Sequence, residues 1–195
     1  MPVQEIIKIR DSKDVEQNLL LLLAMHCAPL LKRMAAANVL TLSRKQALGI
    51  KGMLKNTEIE CYILKADCGR VILYLYRKDI LQSCLQQEDV RNFLKKYGYP
   101  DKEIVDMLKR LSQRIRLYAD GQTDFPHEIG AFLGYPLADV ESFIENRGKN
   151  YAYLGYWKVY HDVEQAVKTF RLFDKERERA VQDVIFGKGI REIAV

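Results

Sequence analysis

The chemistry that this sequence could support begins with its three histidines and four cysteines, because one of each stands side by side at His26-Cys27. Adjacent residues of a helix point about 100° apart, so the pair cannot itself form a nucleophile–base dyad. Cys27 could instead meet His127 or His161 across the fold, and either group of the pair could ligate a metal or haem. The plainer interpretation is that His26 completes an apolar helix stripe and that Cys27 is a core residue.

A second candidate site lies at the start of a predicted short helix, where His127 and Glu128 follow Phe125-Pro126. A histidine beside a carboxylate could transfer protons or form a pair of ligands, and the unpaired N–H groups of a helix start favour an anion. A glutamate in the first turn is also ordinary helix-end chemistry, and the H-E-x-x-H zinc motif is absent. Cys27 and His127 are therefore the candidate catalytic residues, with no reaction assigned to either.

The third candidate is the aromatic segment 151–161, YAYLGYWKVYH, which holds the only tryptophan of the chain. In a single extended strand, Tyr153, Trp157 and His161 would share one side. Such a face, with Lys158 beside it, could stack a base, a flavin or a porphyrin. Aromatic strands are more often part of a core, but the chain has 11 tyrosines. We therefore expect one side of this strand to border a groove.

Two helices are predicted to position the histidines at either end of the chain. Ser12 is expected to cap the first helix, and Pro29 should end that helix one or two residues before itself. Asp162 is expected to cap a long helix that reaches about Phe186.

The clearest predicted element is a β-hairpin that pairs Ile59 to Leu64 with Val71 to Tyr76. A three-residue loop with Gly69 in the left-handed conformation would place the aliphatic residues of both strands on one face and the tyrosines on the other. A two-residue loop is the alternative, but the longer loop separates these side chains and is preferred. A further short strand is predicted at 39–42, followed by a helix that Ser43 caps.

Two short helices joined at Leu133-Gly134-Tyr135-Pro136 resemble a helix-turn-helix. The second of them would present Asp139, Glu141 and Glu145 outward, where they would face the phosphates of a nucleic acid. We therefore expect a structural helical hairpin rather than one that reads DNA.

Together these elements predict an α+β fold, in which a small, mainly antiparallel sheet (hairpin 59–76 plus strand 153–160) is packed by several helices. Residues 1–195 are expected to form a single domain, which could divide into lobes 1–120 and 121–195. A chain of this length, 48% hydrophobic, can bury a full core without disulfides or a metal.

Composition and charge narrow the range of functions. The net charge is +5, and the 31 basic residues are interspersed with 26 acidic ones, which argues against a nucleic-acid partner. The start of the chain lacks a signal-peptide pattern, and the longest apolar run, Leu19 to Met25, is too short to cross a bilayer. The cysteines show no C-x-x-C spacing and are expected to be reduced. We therefore expect a cytoplasmic protein with no membrane segment and no metal site.

Three segments together resemble one family: HCAP at 26–29, FPHEIGAFLGYP at 125–136 and GYWKVY at 155–160. They are similar to an uncharacterised bacterial family, domain-of-unknown-function family 3793, over most of the chain. Where members of that family continue with a Thr-Leu-Ala-Gly-Ile-Lys-like segment after HCAP, this chain has Leu30-Leu31-Lys32-Arg33-Met34. The resemblance implies a cytoplasmic bacterial protein, and flavodoxin genes near those of family members hint at redox or iron physiology. It supplies no activity.

Three functional hypotheses follow. The leading one is a ligand- or cofactor-binding accessory protein in redox or iron physiology, with an unidentified planar or anionic ligand held where distant segments converge. The residues expected to converge there are His26, Cys27, His127, Glu128, Trp157 and His161. The second hypothesis is a thiol-dependent enzyme that uses Cys27 as its nucleophile. The third is an adaptor that docks to an acidic redox protein such as a flavodoxin.

Overall fold

The computed structural model describes residues 3–101 and 103–195, which form helices around a small sheet. Met1 and Pro2, on which the expectation about a signal peptide partly rests, lie outside the described residues. The helices are α1 (Val3–Arg10), α2 (Val15–Leu31), α3 (Arg44–Met53), α4 (Lys78–Leu85), α5 (Glu88–Lys95), α6 (Ile104–Ala119), α7 (Ile129–Phe132), α8 (Leu137–Glu145), α9 (Val163–Ile185) and α10 (Ile190–Ile193). The strands are β1 (Ala37–Ser43), β2 (Ile59–Ala66), β3 (Arg70–Arg77), β4 (Tyr153–Leu154) and β5 (Lys158–Val159).

The main sheet has the strand order β1-β3-β2, and both of its pairings are antiparallel. Successive residues of a strand point to opposite faces, so each face of the sheet builds its own core. Leu73 and Leu75 of the central strand pack against α2, α3 and α9. Tyr74 and Tyr76 of the same strand pack on the other side, against α4 to α8. The predicted α+β class is confirmed, and β1 confirms the strand predicted at 39–42.

The hairpin β2–β3 keeps the predicted faces but reaches them through a different loop. Three residues, 67–69, lie between the two strands, but Ala66 pairs with Val71 and the Asp67 N–H donates to the Arg70 carbonyl over 2.9 Å, so the loop closed by this hydrogen bond has two residues rather than the predicted three. Gly69 takes the expected left-handed conformation, with φ of 104°. A bulge between Ile63 and Lys65 then shifts the register by one residue. The rest of β2 consequently faces as predicted, and only the loop length was wrong.

Helix α2 begins and ends later than the sequence predicts. Asp14 caps it in place of Ser12, since the Asp14 carboxylate accepts from the Gln17 N–H over 3.0 Å. The Ser12 hydroxyl accepts from the Asp14 N–H one step earlier. The helix also continues past Pro29 to Leu31. A proline in the last turn removes one helix hydrogen bond, and it does not end the helix where the carbonyls beyond it find other donors.

Those donors come from Arg77, the last residue of β3, whose side chain is 1% exposed. Its Nε donates to the Leu30 carbonyl over 2.9 Å and its Nη2 to the Leu31 carbonyl over 2.8 Å. Further hydrogen bonds reach the Val195 main-chain oxygen and the Glu58 carboxylate. The Leu30 and Leu31 carbonyls also accept from the main-chain N–H groups of Arg33 and Val195, so Arg77 adds a second, charged donor to each of them at the buried end of α2.

The aromatic segment is not the single strand predicted at 153–160. Strands β4 and β5 form a separate antiparallel hairpin, and the Gly155 N–H donates to the Trp157 carbonyl across its turn. A Cβ at Gly155 would lie 2.1 Å from the ring of Phe170, so the turn packs on α9 only because glycine stands there. The alternation expected of one strand therefore does not apply.

Helix α9 confirms the predicted long helix and its cap, since the Asp162 carboxylate accepts from the Gln165 N–H over 3.3 Å. The helices that follow residue 121 contribute to the cores on both faces of the main sheet.

None of the helices formed by the described residues combines the length and the apolarity needed to cross a membrane.

We expect Arg77→Met to lower the free energy of unfolding by about 3 kcal/mol, because it removes the hydrogen bonds that a buried, charged side chain donates to the main-chain oxygens of Leu30, Leu31 and Val195. Urea unfolding followed by circular dichroism would measure this. Arg33→Met is the matched control, since Arg33 also pairs with Glu58 but is 40% exposed and should cost less than about 1 kcal/mol. Equal losses in the two variants would contradict the role given to Arg77.

Candidate functional site

A cavity with a volume of about 490 Å³ lies beside the main sheet. The end of α2, the start of β1, the turn between α7 and α8, the β4–β5 hairpin and the first turns of α9 enclose it. We call it the larger cavity. The polar and aromatic side chains that matter for its chemistry are those of His26, Asn38, Tyr156, Trp157, His161 and Gln165.

Three of the six residues expected to converge line this cavity, namely His26, Trp157 and His161. They come from α2, from the aromatic hairpin and from the residue before the cap of α9, so the chain folds distant segments onto one space. Cys27 and Glu128 are not among its lining residues. His127 lines a second cavity of about 220 Å³, which we call the smaller cavity, and Trp157 borders both.

His26 reaches the larger cavity because it lies on the exposed side of α2, away from the core that the same helix builds. Its carbonyl accepts from the Asn38 side-chain amide over 2.6 Å, which joins this part of the helix to β1. The described residues give the His26 ring no hydrogen-bond partner, and His26 lines the cavity.

Trp157 is held on three sides. Its Nε1 donates to the Asp139 carboxylate over 2.8 Å. Its ring stacks on Tyr135, with centroids 5.1 Å apart, and meets Phe170 edge-on at 4.5 Å. Aromatic pairs in such arrangements stabilise each other beyond the area they bury. The indole therefore stands as a fixed wall between the two cavities.

Asp139 is the residue that fixes this wall, and the sequence analysis misplaced it. It was expected to point outward from α8, but it is 3% exposed. Besides the indole, it accepts from the N–H groups of Tyr160 and His161, over 2.8 and 2.9 Å. A buried carboxylate must be hydrogen-bonded, and these donors satisfy it. No local signal indicated this burial, because the groups that donate to Asp139 follow it by 18 to 22 residues.

His161 is oriented from two directions. Its backbone N–H donates to Asp139, and its Nε2 lies 2.8 Å from the hydroxyl of Ser142 on α8. The hydroxyl can serve either tautomer of the ring, as donor or as acceptor. The imidazole is thus positioned at the cavity by α8 as well as by the hairpin.

Cys27 lies in the core between α2 and the main sheet and is fully buried. Burial raises the pKa of its thiol to about 12. A thiolate nucleophile needs a lowered pKa and partial exposure, so both properties count against catalysis by Cys27. Cys84 does line the larger cavity, and burial raises its thiol pKa as well.

His127 and Glu128 are neighbours in sequence but face different surroundings. Glu128 is 1% exposed, forms an ion pair with Arg114 and accepts from the Tyr99 hydroxyl over 2.9 Å. Burial and this carboxylate raise the pKa of Tyr99. The His127 ring packs near that of Phe143, with centroids 4.9 Å apart, and burial lowers the pKa of His127. Glu128 is therefore engaged in a buried structural contact.

The wall of the larger cavity offers stacking and hydrogen bonding but little charge. The described residues that line it include no lysine and no arginine. The carboxylates of Asp139 and Asp162 both accept hydrogen bonds from main-chain N–H groups. No three histidine, cysteine, aspartate or glutamate side chains among the described residues are grouped so as to hold a metal ion. A planar molecule with neutral polar edges suits this wall best.

Fold and site together define an α+β protein with an aromatic-walled cavity beside its sheet. The chain belongs to the family described as protein of unknown function (DUF3793), whose model matches residues 23–194. This confirms the resemblance seen in the sequence. Comparisons with curated proteins and with solved structures gave no match.

We expect Asp139→Asn to lower the free energy of unfolding by about 2 kcal/mol, because an amide nitrogen would face a donor that the carboxylate now accepts from. Emission of Trp157, the only tryptophan, should shift to longer wavelength as its indole loses its partner. Glu141→Gln is the control, because it makes the same carboxylate-to-amide change at a half-buried position of α8. It should lower the free energy of unfolding by less than about 0.5 kcal/mol. An unshifted emission maximum in Asp139→Asn would count against the anchoring role.

Alkylation should separate the cysteines by burial. In the native protein at pH 8, iodoacetamide should modify the exposed Cys68 readily and leave Cys27 unmodified, because the thiol pKa of Cys27 lies far above that pH. Unfolding in urea should make both react. Peptide mass spectrometry would measure the modified fraction of each, and rapid native modification of Cys27 would revive the thiol-enzyme hypothesis.

Proposed function

We propose that this protein binds a small, planar, uncharged ligand in the larger cavity and acts as a ligand- or cofactor-binding accessory protein. The observation that carries the proposal is the position of Trp157, whose indole Asp139 fixes beside the imidazoles of His26 and His161. An aromatic ring held in place before the ligand arrives offers stacking area without an ordering cost on binding.

The size of the cavity supports a small-molecule ligand, since about 490 Å³ lies within the usual 300–1,000 Å³ range of such sites. The wall also narrows the earlier choice between a planar and an anionic ligand. An anion is usually met by arginine, lysine or unpaired backbone N–H groups, and the first turn of α9 already has its carboxylate cap in Asp162. The side-chain amide of Gln165 instead suits the neutral donors and acceptors of a heteroaromatic ring.

The cellular setting is part of the proposal. The resemblance to this family implies a bacterial, cytoplasmic protein, and the flavodoxin genes near those of family members favour a role in redox or iron physiology. The four cysteines are all free, which is consistent with a reducing compartment.

The two alternative functions have less support. A thiol enzyme would need Cys27 exposed, and it is buried. An adaptor for an acidic protein would need unneutralised basic side chains on one face. Much of the basic charge on and after α9 is instead paired with acids within the chain, as in Lys168–Glu164, Arg177–Asp174, Arg179–Glu176 and Lys188–Asp183.

Riboflavin and flavin mononucleotide test the proposal as a matched pair, because they share one planar ring system and differ in a phosphate. Emission of Trp157 should be quenched saturably by riboflavin, and the added phosphate should not strengthen binding at low salt. Gln165→Leu should weaken riboflavin binding about fivefold, the effect of one lost hydrogen bond.

Gln182→Leu, an exposed change on the same helix, is the control and should leave the affinity unaltered. Quenching that does not saturate, or equal affinities for both leucine variants, would contradict the larger cavity as the site. Clearly tighter binding of flavin mononucleotide would contradict the uncharged class of ligand.

A further inference from the structure

The smaller cavity also borders Trp157 and has a different chemical character. Its wall includes the aromatic rings of Phe125, Tyr135, Phe143 and Trp157 and the ring of His127, beside the aliphatic side chains of Ile129, Leu133 and Val140. The centroid of the His127 ring lies 5.1 Å from that of Phe125 and 4.9 Å from that of Phe143. Its volume of about 220 Å³ suits one or two fused rings rather than a large cofactor.

The polar groups beside these rings are already engaged. The Trp157 Nε1 donates to Asp139, whose other carboxylate oxygen accepts from two main-chain N–H groups. Burial lowers the pKa of His127, which favours its uncharged form. Neither the Trp157–Asp139 pair nor His127 therefore favours a ligand with a charged ring. The aromatic side chains of the wall suit a ligand with an apolar aromatic ring.

Lys158 supplies the only positive charge among the described residues that line this cavity. Its ammonium donates to the Gly148 carbonyl over 2.7 Å and lies 4.8 Å from the centroid of the Tyr151 ring and 5.6 Å from that of Phe143. These contacts orient the ammonium at the edge of the aromatic wall. An ammonium has three donors, and no carboxylate of the described residues forms an ion pair with it. A half-buried cation of this kind attracts an anionic partner.

We propose that the smaller cavity is a second binding site, which takes a small aromatic carboxylate. The ring of the ligand lies between Phe125, Phe143 and Trp157, and its carboxylate accepts from the Lys158 ammonium. This site differs from the larger cavity in the charge of its ligand, and it does not depend on that cavity being occupied.

Phenylacetate and phenylacetamide test the proposal by isothermal titration calorimetry on the full chain, because the two probes share a ring and differ in charge. The wild-type protein should bind phenylacetate about tenfold more tightly than phenylacetamide, as expected for a charge-assisted hydrogen bond. Lys158→Met should remove this preference by weakening phenylacetate about tenfold, with phenylacetamide changed less than twofold. Lys149→Met, at an exposed lysine outside the cavity, should change neither affinity.

Two further variants keep the test decisive if Lys158→Met does not fold. Lys158→Arg retains the charge and should retain the preference for phenylacetate, whereas Phe125→Ala, at the exposed rim, should weaken both probes. Equal affinities for the two probes, or a phenylacetate preference that survives in Lys158→Met, would overturn the proposal, as would no binding of either. Riboflavin quenching should be unchanged in Lys158→Met, so a failure of this site and a failure of the larger cavity are distinguishable.

Discussion

The buried carboxylate of Asp139 is the constraint on which the arrangement of both cavities depends. Strands β4 and β5 have two residues each, and an isolated two-stranded hairpin of that length has little stability of its own. Asp139 gives the hairpin an anchor, since it accepts from the Trp157 indole and from the main chain of Tyr160 and His161. A carboxylate is costly to bury unless its hydrogen bonds are satisfied. Asp139 can therefore stay buried on α8 only while the hairpin remains packed against that helix.

That anchor gives Trp157 two functional faces. The turn at Gly155 lets the hairpin approach Phe170 of α9, and this approach presses the indole between α8 and α9. The indole borders one space of neutral polar groups and a second space of aromatic rings that includes the cation of Lys158. The two spaces therefore favour planar ligands of different charge, although they share a wall.

Local patterns in the sequence predicted the elements that local interactions determine. Ser43 caps α3 through the Gln46 N–H, and Asp162 caps α9, because a cap needs only residues three positions apart. The faces of β3 follow from alternation, which the bulge in β2 preserves. Prediction failed where distant groups decide. Arg77 donates to the last carbonyls of α2, which continues past Pro29, from 46 to 47 residues further along the chain, and no local signal links them.

The candidate site shows the same division, and the pair His127-Glu128 shows it most clearly. As a sequence, the pair suggests two ligands for one site. In the fold, Glu128 turns inward to Arg114 and Tyr99, which fastens the start of α7 to α6, while His127 turns toward the smaller cavity. The two side chains separate because consecutive residues at a helix start point in different directions. The one that points into the apolar interior, Glu128, can be buried there only because it is paired. The histidines consequently do not meet in one pocket: two line the larger cavity and one lines the smaller, and the two cavities share Leu133, Tyr135, Asp139 and Trp157.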